Sequence, residues 1–395
     1  MNPPLTQQDA QPLSTSAIIS EMLLASKHAS DLILSPYQAP HARLNGHLVQ
    51  LKIPSVEKFS PADTARIAAD MIGANPLAQQ RLKEEGSCDV SYSIPALARL
   101  RVNVFSQRGT YAIVMRSIPT NIPDIASLNL PLQFAQIAEL KTGVVLVTGS
   151  TGSGKSSTLA ALLNLINETK ACHIVTIEDP IEFSHSHKKS IIHQRELHSD
   201  TPRFDLALRA ALRQSPDVIL VGEMRDKETI EIVLEAAETG HLVLSTLHTI
   251  DASSTLERII GVFPLGDQQA IRNRFAKSFR YIISQRLIPR KDNCGRVAVL
   301  EILKATLRTQ QYILKGENQG KTLLDAMRDG TTEGMQHFDG EIERLIREGV
   351  IDFDTGMNFA TNPGNLRLEM ADFVEDKPPA CAPTRSNEVE LEIER

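Results

Sequence analysis

Cysteine is scarce in this sequence and poorly placed for cross-linking. Cys88, Cys172, Cys294 and Cys381 lie far apart, and no Cys-x-x-Cys pair occurs. That spacing offers neither a zinc site nor a disulfide framework and fits a reducing compartment. Positive charge is not in excess either: 42 Lys and Arg stand against 48 Asp and Glu, for a formal net charge of −6. Constitutive nucleic-acid binders are usually basic, and no stripe of aromatic and basic residues offers a stacking platform, so no nucleic acid is expected as a partner. No apolar run approaches the length of about 20 residues that spans a bilayer. The start, Met-Asn-Pro-Pro-Leu-Thr-Gln-Gln, lacks the basic head and apolar core of a signal peptide. The expectation is a cytoplasmic protein that meets a membrane only through a partner.

What is present is an ordinary globular composition, with 42% hydrophobic and 23% charged residues in 395, enough for two or three domains. Residues 1–14 are polar and contain proline, and read as disordered. Residues 15–118 read as a small α+β domain. It starts with an amphipathic helix carrying Ile18, Ile19, Met22 and Leu23, and continues with a strand at Asp31–Leu34 and a hairpin signalled by Asn45-Gly46. A helix over Pro61–Ile72 and strands near Leu100–Phe105 and Tyr111–Met115 complete it. Residues 119–123, with Pro119 and Pro123, form the linker. From 124 to 370, strands at Val144–Thr148, His173–Ile177, Val218–Val221 and Leu242–Leu247 alternate with helices, the mark of an α/β fold with a parallel sheet. Past Ala305 the pattern turns helical, and residues 371–395, with Glu388, Glu390, Glu392 and Glu394, read as an acidic disordered tail.

One stretch carries most of the chemical information. Gly149-Ser150-Thr151-Gly152-Ser153-Gly154-Lys155-Ser156 follows the apolar run Val144–Val147 and precedes a good helix former. This is the full P-loop pattern. Its glycines let several backbone N–H groups turn toward one anion, and the helix start adds the positive end of its dipole. Lys155 then reaches the β- and γ-phosphates, and the Ser156 hydroxyl takes a position on Mg2+. Gly149 to Ser156, together with Ser157, are the expected nucleotide-binding residues, for ATP with Mg2+.

In parallel α/β sheets ligands sit beyond the C-terminal ends of the strands. Glu178-Asp179-Pro180-Ile181-Glu182 follows one strand end, Gly222-Glu223-Met224-Arg225-Asp226 a second, and His248-Thr249 a third. The apolar Val218–Val221 followed by Gly-Glu matches a Walker B element. Its acid, Glu223, would hold magnesium through water or orient the attacking water, and one of Glu178 and Glu182 would polarise that water.

Glu178–Glu182, Gln194-Arg195-Glu196, Gly222–Asp226 and Ala237-Glu238-Thr239-Gly240-His241 through His248 together resemble the PilT/PilU family. These are twitching-motility ATPases, the retraction motors of type IV pili within the secretion-ATPase superfamily. The resemblance runs in order from about Ser30 to Arg367. It implies a homohexamer, each subunit pairing a PAS-like N-terminal domain with a RecA-like ATPase core. It also implies an inner-membrane pilus platform protein as a partner, and a paralogous retraction ATPase as a further one. By the same resemblance Glu182 is the water-activating carboxylate, Glu223 the Walker B glutamate, and His241 and His248 γ-phosphate sensors and subunit-contact residues. Arg101 and Arg116 are the two arginines that the N-terminal domain sends to the nucleotide. A guanidinium can bind the charge that builds on phosphoryl oxygens in bidentate fashion, which gives those two an independent chemical rationale.

Two departures qualify the match. The Ala-Ile-Arg-Asn motif of the PilT branch is replaced by Ala305-Thr306-Leu307-Arg308-Thr309-Gln310, and Gly334-Met335-Gln336 and Asn362–Arg367 look more like PilU. Pilus-assembly and type II secretion ATPases carry a four-cysteine zinc motif that Cys294 alone cannot supply. A non-hydrolysing nucleotide-dependent scaffold would not need the full set of Lys155, Ser156, Glu182 and Glu223.

Overall fold

Alternation of apolar and polar residues in the first third of the chain, and unbroken apolar runs in the middle, build two different sheets. The computed structural model describes residues 14–26, 29–44, 47–95, 97–119, 121–317 and 321–375. The first sheet contains β1 (Asp31–Leu34), β2 (His41–Leu44), β3 (His47–Gln50), β4 (Ser87–Ile94), β5 (Ala98–Gln107) and β6 (Thr110–Ile118). Their order is β3-β2-β1-β6-β5-β4, with every pair antiparallel.

β5 shows how that sheet gains one dry face: Leu100, Val102 and Val104 are buried and Arg101 between them is exposed. The inward residues pack on Ile18 and Met22 of the helix Thr15–Ala25 and on Ile67 and Met71 of the helix Pro61–Ile72. The second of these helices starts at a capping box between Ser60 and Asp63, with Pro61 at its first turn. The outward face carries a cross-strand row in register, Ser91 opposite Arg101, Arg101 opposite Arg116, Arg116 opposite Asp31, and Asp31 opposite Arg43.

The second sheet contains β7 (Gly143–Thr148), β8 (His173–Glu178), β9 (Ile191–Glu196), β10 (Val218–Val221), β11 (Leu242–Leu247), β12 (Phe279–Pro289) and β13 (Arg296–Lys304). Its order is β13-β12-β7-β11-β10-β8-β9, parallel apart from the antiparallel pair β12–β13. β7, β10 and β11 are buried at every residue, as strands covered on both faces must be. Val144 and Leu146 point into a core with Ile230, Val233 and Phe275, while Val145 and Val147 meet Leu159, Leu162 and Ile166 of the helix Lys155–Thr169. Helices Phe338–Arg347, Phe353–Phe359 and Pro363–Glu369 close a further cluster on Ile288, Val297 and Val299.

Some elements differ from the sequence reading. The structure adds β9, β12 and β13, whose apolar signal is interrupted by Gln194, Arg195, Gln285, Arg286 and Glu301. Ser14 caps the first helix, and residues Ala371–Glu375 are helical where the acidic tail was placed. The hairpin tip Asn45-Gly46, residues 1–13 and residues 376–395 lie outside the described residues. Among the described residues no helix is long and apolar enough to cross a membrane.

Candidate functional site

The phosphate-type loop sits between the end of β7 and the helix Lys155–Thr169, and its shape depends on glycine at specific points. Gly149 has φ +146°, and a Cβ there would fall 2.5 Å from the carbonyl oxygen of Gln285 and 2.5 Å from Ser153 Oγ. Gly154 has φ +90° in the left-handed region, where a side chain would also approach the Gln285 amide at 2.8 Å. Gln285, on β12, holds the loop from behind. Its Nε2 donates to the Ser153 carbonyl at 2.7 Å, and its Oε1 accepts from Thr158 Oγ1 at 2.7 Å. Sequence reasoning missed Gln285; a buried amide inside a strand was the available signal.

Lys155 is buried, and its Nζ donates to the carbonyl oxygens of Gly149 at 2.8 Å and Ser150 at 3.0 Å. Burial lowers its pKa, while the charges of Glu223 and Glu182 work the other way. The Ser153 hydroxyl oxygen is buried with no hydrogen-bond partner among the described residues.

A cavity of about 460 Å³ opens in front of the loop and is lined by Lys155, Ser156, Ser157, Glu178, Glu182, Glu223 and His248. A second cavity of about 330 Å³ lies against Gly149–Ser153, bounded by Ile250, Leu287, Arg296 and Phe359. Four strand ends, those of β7, β8, β10 and β11, therefore deliver the candidate groups to one place. Glu178 is half-buried on the cavity wall: its Oε1 accepts from Thr176 Oγ1 at 2.6 Å and from Gln194 Nε2 at 3.2 Å, and loss of solvation pushes its pKa up to about 7. Glu182, by contrast, is an exposed residue on the cavity wall. Glu223 accepts from Arg225 Nε at 2.7 Å and lies 3.6 Å from His248 Nε2. Arg225 also approaches Asp179 at 3.7 Å, so a single cation bridges the two acidic boxes. His185 lines the same cavity, and burial pushes its pKa down to about 4.

Among the described residues no set of three or more His, Cys, Asp or Glu side chains could hold a metal ion. The Ser156 hydroxyl and the Glu223 carboxylate do line one cavity, and a magnesium ion takes oxygen donors of that kind together with water and substrate phosphates.

Three expected residues are placed elsewhere. His241 precedes the first residue of β11 and donates from Nδ1 to the Ala236 carbonyl at 2.9 Å. It thus lies at the opposite edge of the sheet from the loop, about 20 Å away at the rise of a strand. Within one chain His248, and not His241, stands at the loop's end of the sheet. Arg101 and Arg116 are not on either cavity wall. They stand on the outward face of the first sheet, Arg101 Nε 4.0 Å from Asp89 and Arg116 Nη2 2.9 Å from Asp31. In this arrangement of the chain they do not reach the loop.

The chain is similar to known proteins over most of its length. The family model described as type II/IV secretion system protein matches residues 7–333. A twitching motility protein of Neisseria gonorrhoeae is 43% identical over 328 residues, 83% of this chain and 86% of the relative. The type IV pilus retractation ATPase PilT of Pseudomonas aeruginosa PAO1 is 40% identical over 350 residues, 88% of this chain and 99% of the relative. The type IV pilus ATPase PilU of the same organism is 37% identical over 347 residues, 88% of this chain and 89% of the relative. Among solved structures, the pilus retraction motor PilT with bound ADP has a TM-score of 0.78 at 39% identity, covering 90% of this chain and 99% of that one. Overall identity does not follow the PilU-like lean of the C-terminal segments.

Proposed function

This chain belongs to the type II/IV secretion system protein family, among its pilus-retraction ATPases, and on that footing we propose that it works as a hexameric ATP-driven motor of type IV pilus retraction and twitching motility. The observation that carries the reading is the convergence of Lys155, Ser156, Glu182, Glu223 and His248 on one cavity from four strand ends. ATP is the substrate that this donor set suits. The loop amides from Gly149 to Ser156 and the Lys155 ammonium bind the phosphates, with the helix dipole behind them. Ser156 and Glu223 would hold Mg2+, which neutralises charge on the phosphoryl oxygens when bound.

The remaining steps belong to side chains. Glu182, open to the cavity, accepts a proton from the attacking water. His248, beside Glu223, senses the terminal phosphate. Arg101 and Arg116 leave their carboxylate partners and add positive charge when the N-terminal sheet closes over the core, which ties hydrolysis to domain rotation. His241, on the far edge, serves as a contact to a neighbouring subunit. The hexamer works at the cytoplasmic face of the inner membrane through a platform protein, and a paralogous retraction ATPase can share the task.

The test is ATP turnover by the purified full-length chain. Wild type should release phosphate from ATP with Mg2+, and Lys155→Ala should lose that turnover while its circular dichroism and assembly state stay unchanged. Wild-type turnover in the variant would remove the P-loop assignment, and no phosphate release by wild type would leave a nucleotide-binding scaffold instead.

A further inference from the structure

The second sheet buries a carboxyl that the chemistry above does not use. Glu301 lies on β13 and is 5% exposed. Its Oε1 accepts from the Ala252 backbone N–H at 2.8 Å and from the Ser284 hydroxyl at 3.3 Å. The Ser284 oxygen in turn accepts from Thr148 Oγ1 at 3.1 Å. Thr148 is the last residue of β7, next to Gly149, where the phosphate loop begins. Ala252 opens the helix Ala252–Gly261, four residues after His248. One carboxyl oxygen therefore joins the start of the phosphate loop to the loop that carries His248.

Simpler roles do not account for this group. The helix at Ala252 already has its cap, since Asp251 accepts from the Ser254 N–H at 2.7 Å. A salt bridge is not the reason either. Arg286, the cation of β12 that faces this region, stacks 3.8 Å over the Phe338 ring and donates to the Phe359 carbonyl at 2.9 Å. Burying a carboxyl without an ion pair is costly, and an apolar side chain would fill the volume more cheaply. Burial, with the nearby Asp251 charge adding to it and Arg286 opposing, pushes its pKa up to about 7.

We propose that Glu301 is a positioning residue that transmits the state of the phosphate loop, through Ser284 and Thr148, to the His248 loop at Ala252. A shift of Thr148 when the phosphate loop closes moves the Ser284 hydroxyl, and Glu301 carries that movement to the first turn of the helix behind His248. The kinetic part of this rests on the ATPase reading above.

Hydrogen exchange with and without ADP tests it on the full-length chain, comparing wild type with Glu301→Ala, Glu301→Gln and Ser284→Ala. ADP should slow exchange in wild type over residues 144–158 and also over 247–256. Glu301→Ala and Ser284→Ala should keep the first effect and lose most of the second. Glu301→Gln should restore it, because the amide oxygen still accepts from Ala252 and Ser284. In turnover, both alanine variants should lower kcat about tenfold, a usual size for such coupling, with KM within about twofold of wild type. Should Glu301→Ala fail to fold, Ser284→Ala carries the same test with the carboxyl intact. Protection of both segments in the alanine variants overturns the proposal, as does protection in wild type confined to 144–158, or a glutamine variant as impaired as alanine. Absence of ADP protection at 144–158 in wild type would instead refute the nucleotide reading itself.

Discussion

The two sheets handle charged residues in opposite ways. In the parallel sheet, β10 and β11 are buried throughout, and Glu223 and His248 appear where the strands stop. Their positions are fixed by the register of strands that have no freedom to slide. In the antiparallel sheet the charges stand mid-strand on an open face, with the Arg101 and Arg116 side chains 48% and 68% exposed. The Arg101–Asp89 pair is of the surface kind, worth about 0–1 kcal/mol, whereas Arg116 pairs with the buried Asp31, which also has Arg43 at 3.8 Å. The comparison separates charge placed by buried strand ends from exchangeable charge: Arg101 can trade one anion for another at little cost, whereas Glu223 and His248 stand where the register of β10 and β11 puts them.

A contact joins the two. Glu196, at the end of the edge strand β9, accepts from Ser91 Oγ at 2.6 Å and from Arg99 Nη2 at 3.1 Å. Arg99 lies two residues before Arg101 on β5, hence on the same face. The open face with the arginine row is therefore the face turned toward the core.

The largest expected effect tests whether that face matters to the chemistry. Arg101→Ala or Arg116→Ala in the full-length chain should lower ATP turnover on the order of a thousandfold, as for arginines that stabilise phosphoryl transfer. ATP affinity, set by the phosphate loop, should change far less. Unchanged turnover in both variants would make the two sheets functionally independent and these arginines surface residues.

A smaller effect is expected at the contact itself. Glu196 is 5% exposed, so removing Arg99 leaves a buried carboxylate with Ser91 as its remaining side-chain donor. A double-mutant cycle of Arg99→Ala and Glu196→Ala, read by denaturation, should give a coupling of about 1–3 kcal/mol, the range of charge-assisted hydrogen bonds. Additive costs would show that the two sheets merely touch here.

How much of this could be read beforehand follows the same division. The phosphate loop and the ends of β8, β10 and β11 were legible because a parallel sheet puts chemistry directly after an apolar run. Gln285 and Glu301 were not, because a polar residue inside a strand erases the run that announces it, and Gln285 finds its partner Thr158 across 127 residues. His241 and His248 stand at opposite ends of β11 because one precedes the strand and the other follows it. For Arg101 and Arg116 the alternation showed an exposed face, but only the contact between Arg99 and Glu196 shows what that face is turned toward.

The smallest effect concerns Glu178, which sharpens the strand-end side of the comparison. Its pKa is pushed from the ordinary 4.5 up to about 7 by loss of solvation. Between those two values the folded chain keeps a proton that the unfolded chain has released. Stability from this group is therefore greatest below that window, falls as pH rises through it, and levels off above 7. Glutamine at this position does not ionise and can still accept from Thr176 and Gln194. The melting temperature of Glu178→Gln, relative to wild type, should therefore increase between pH 5.5 and pH 8, by about 2–4 °C for each kcal/mol involved. Glu301, also pushed up to about 7, is present in both proteins and cancels in the difference, and His185, pushed down to about 4, stays neutral across the range. A difference in melting temperature that is flat with pH would mean that Glu178 is ionised throughout, and that this strand end tolerates a charge as readily as the open face of the other sheet.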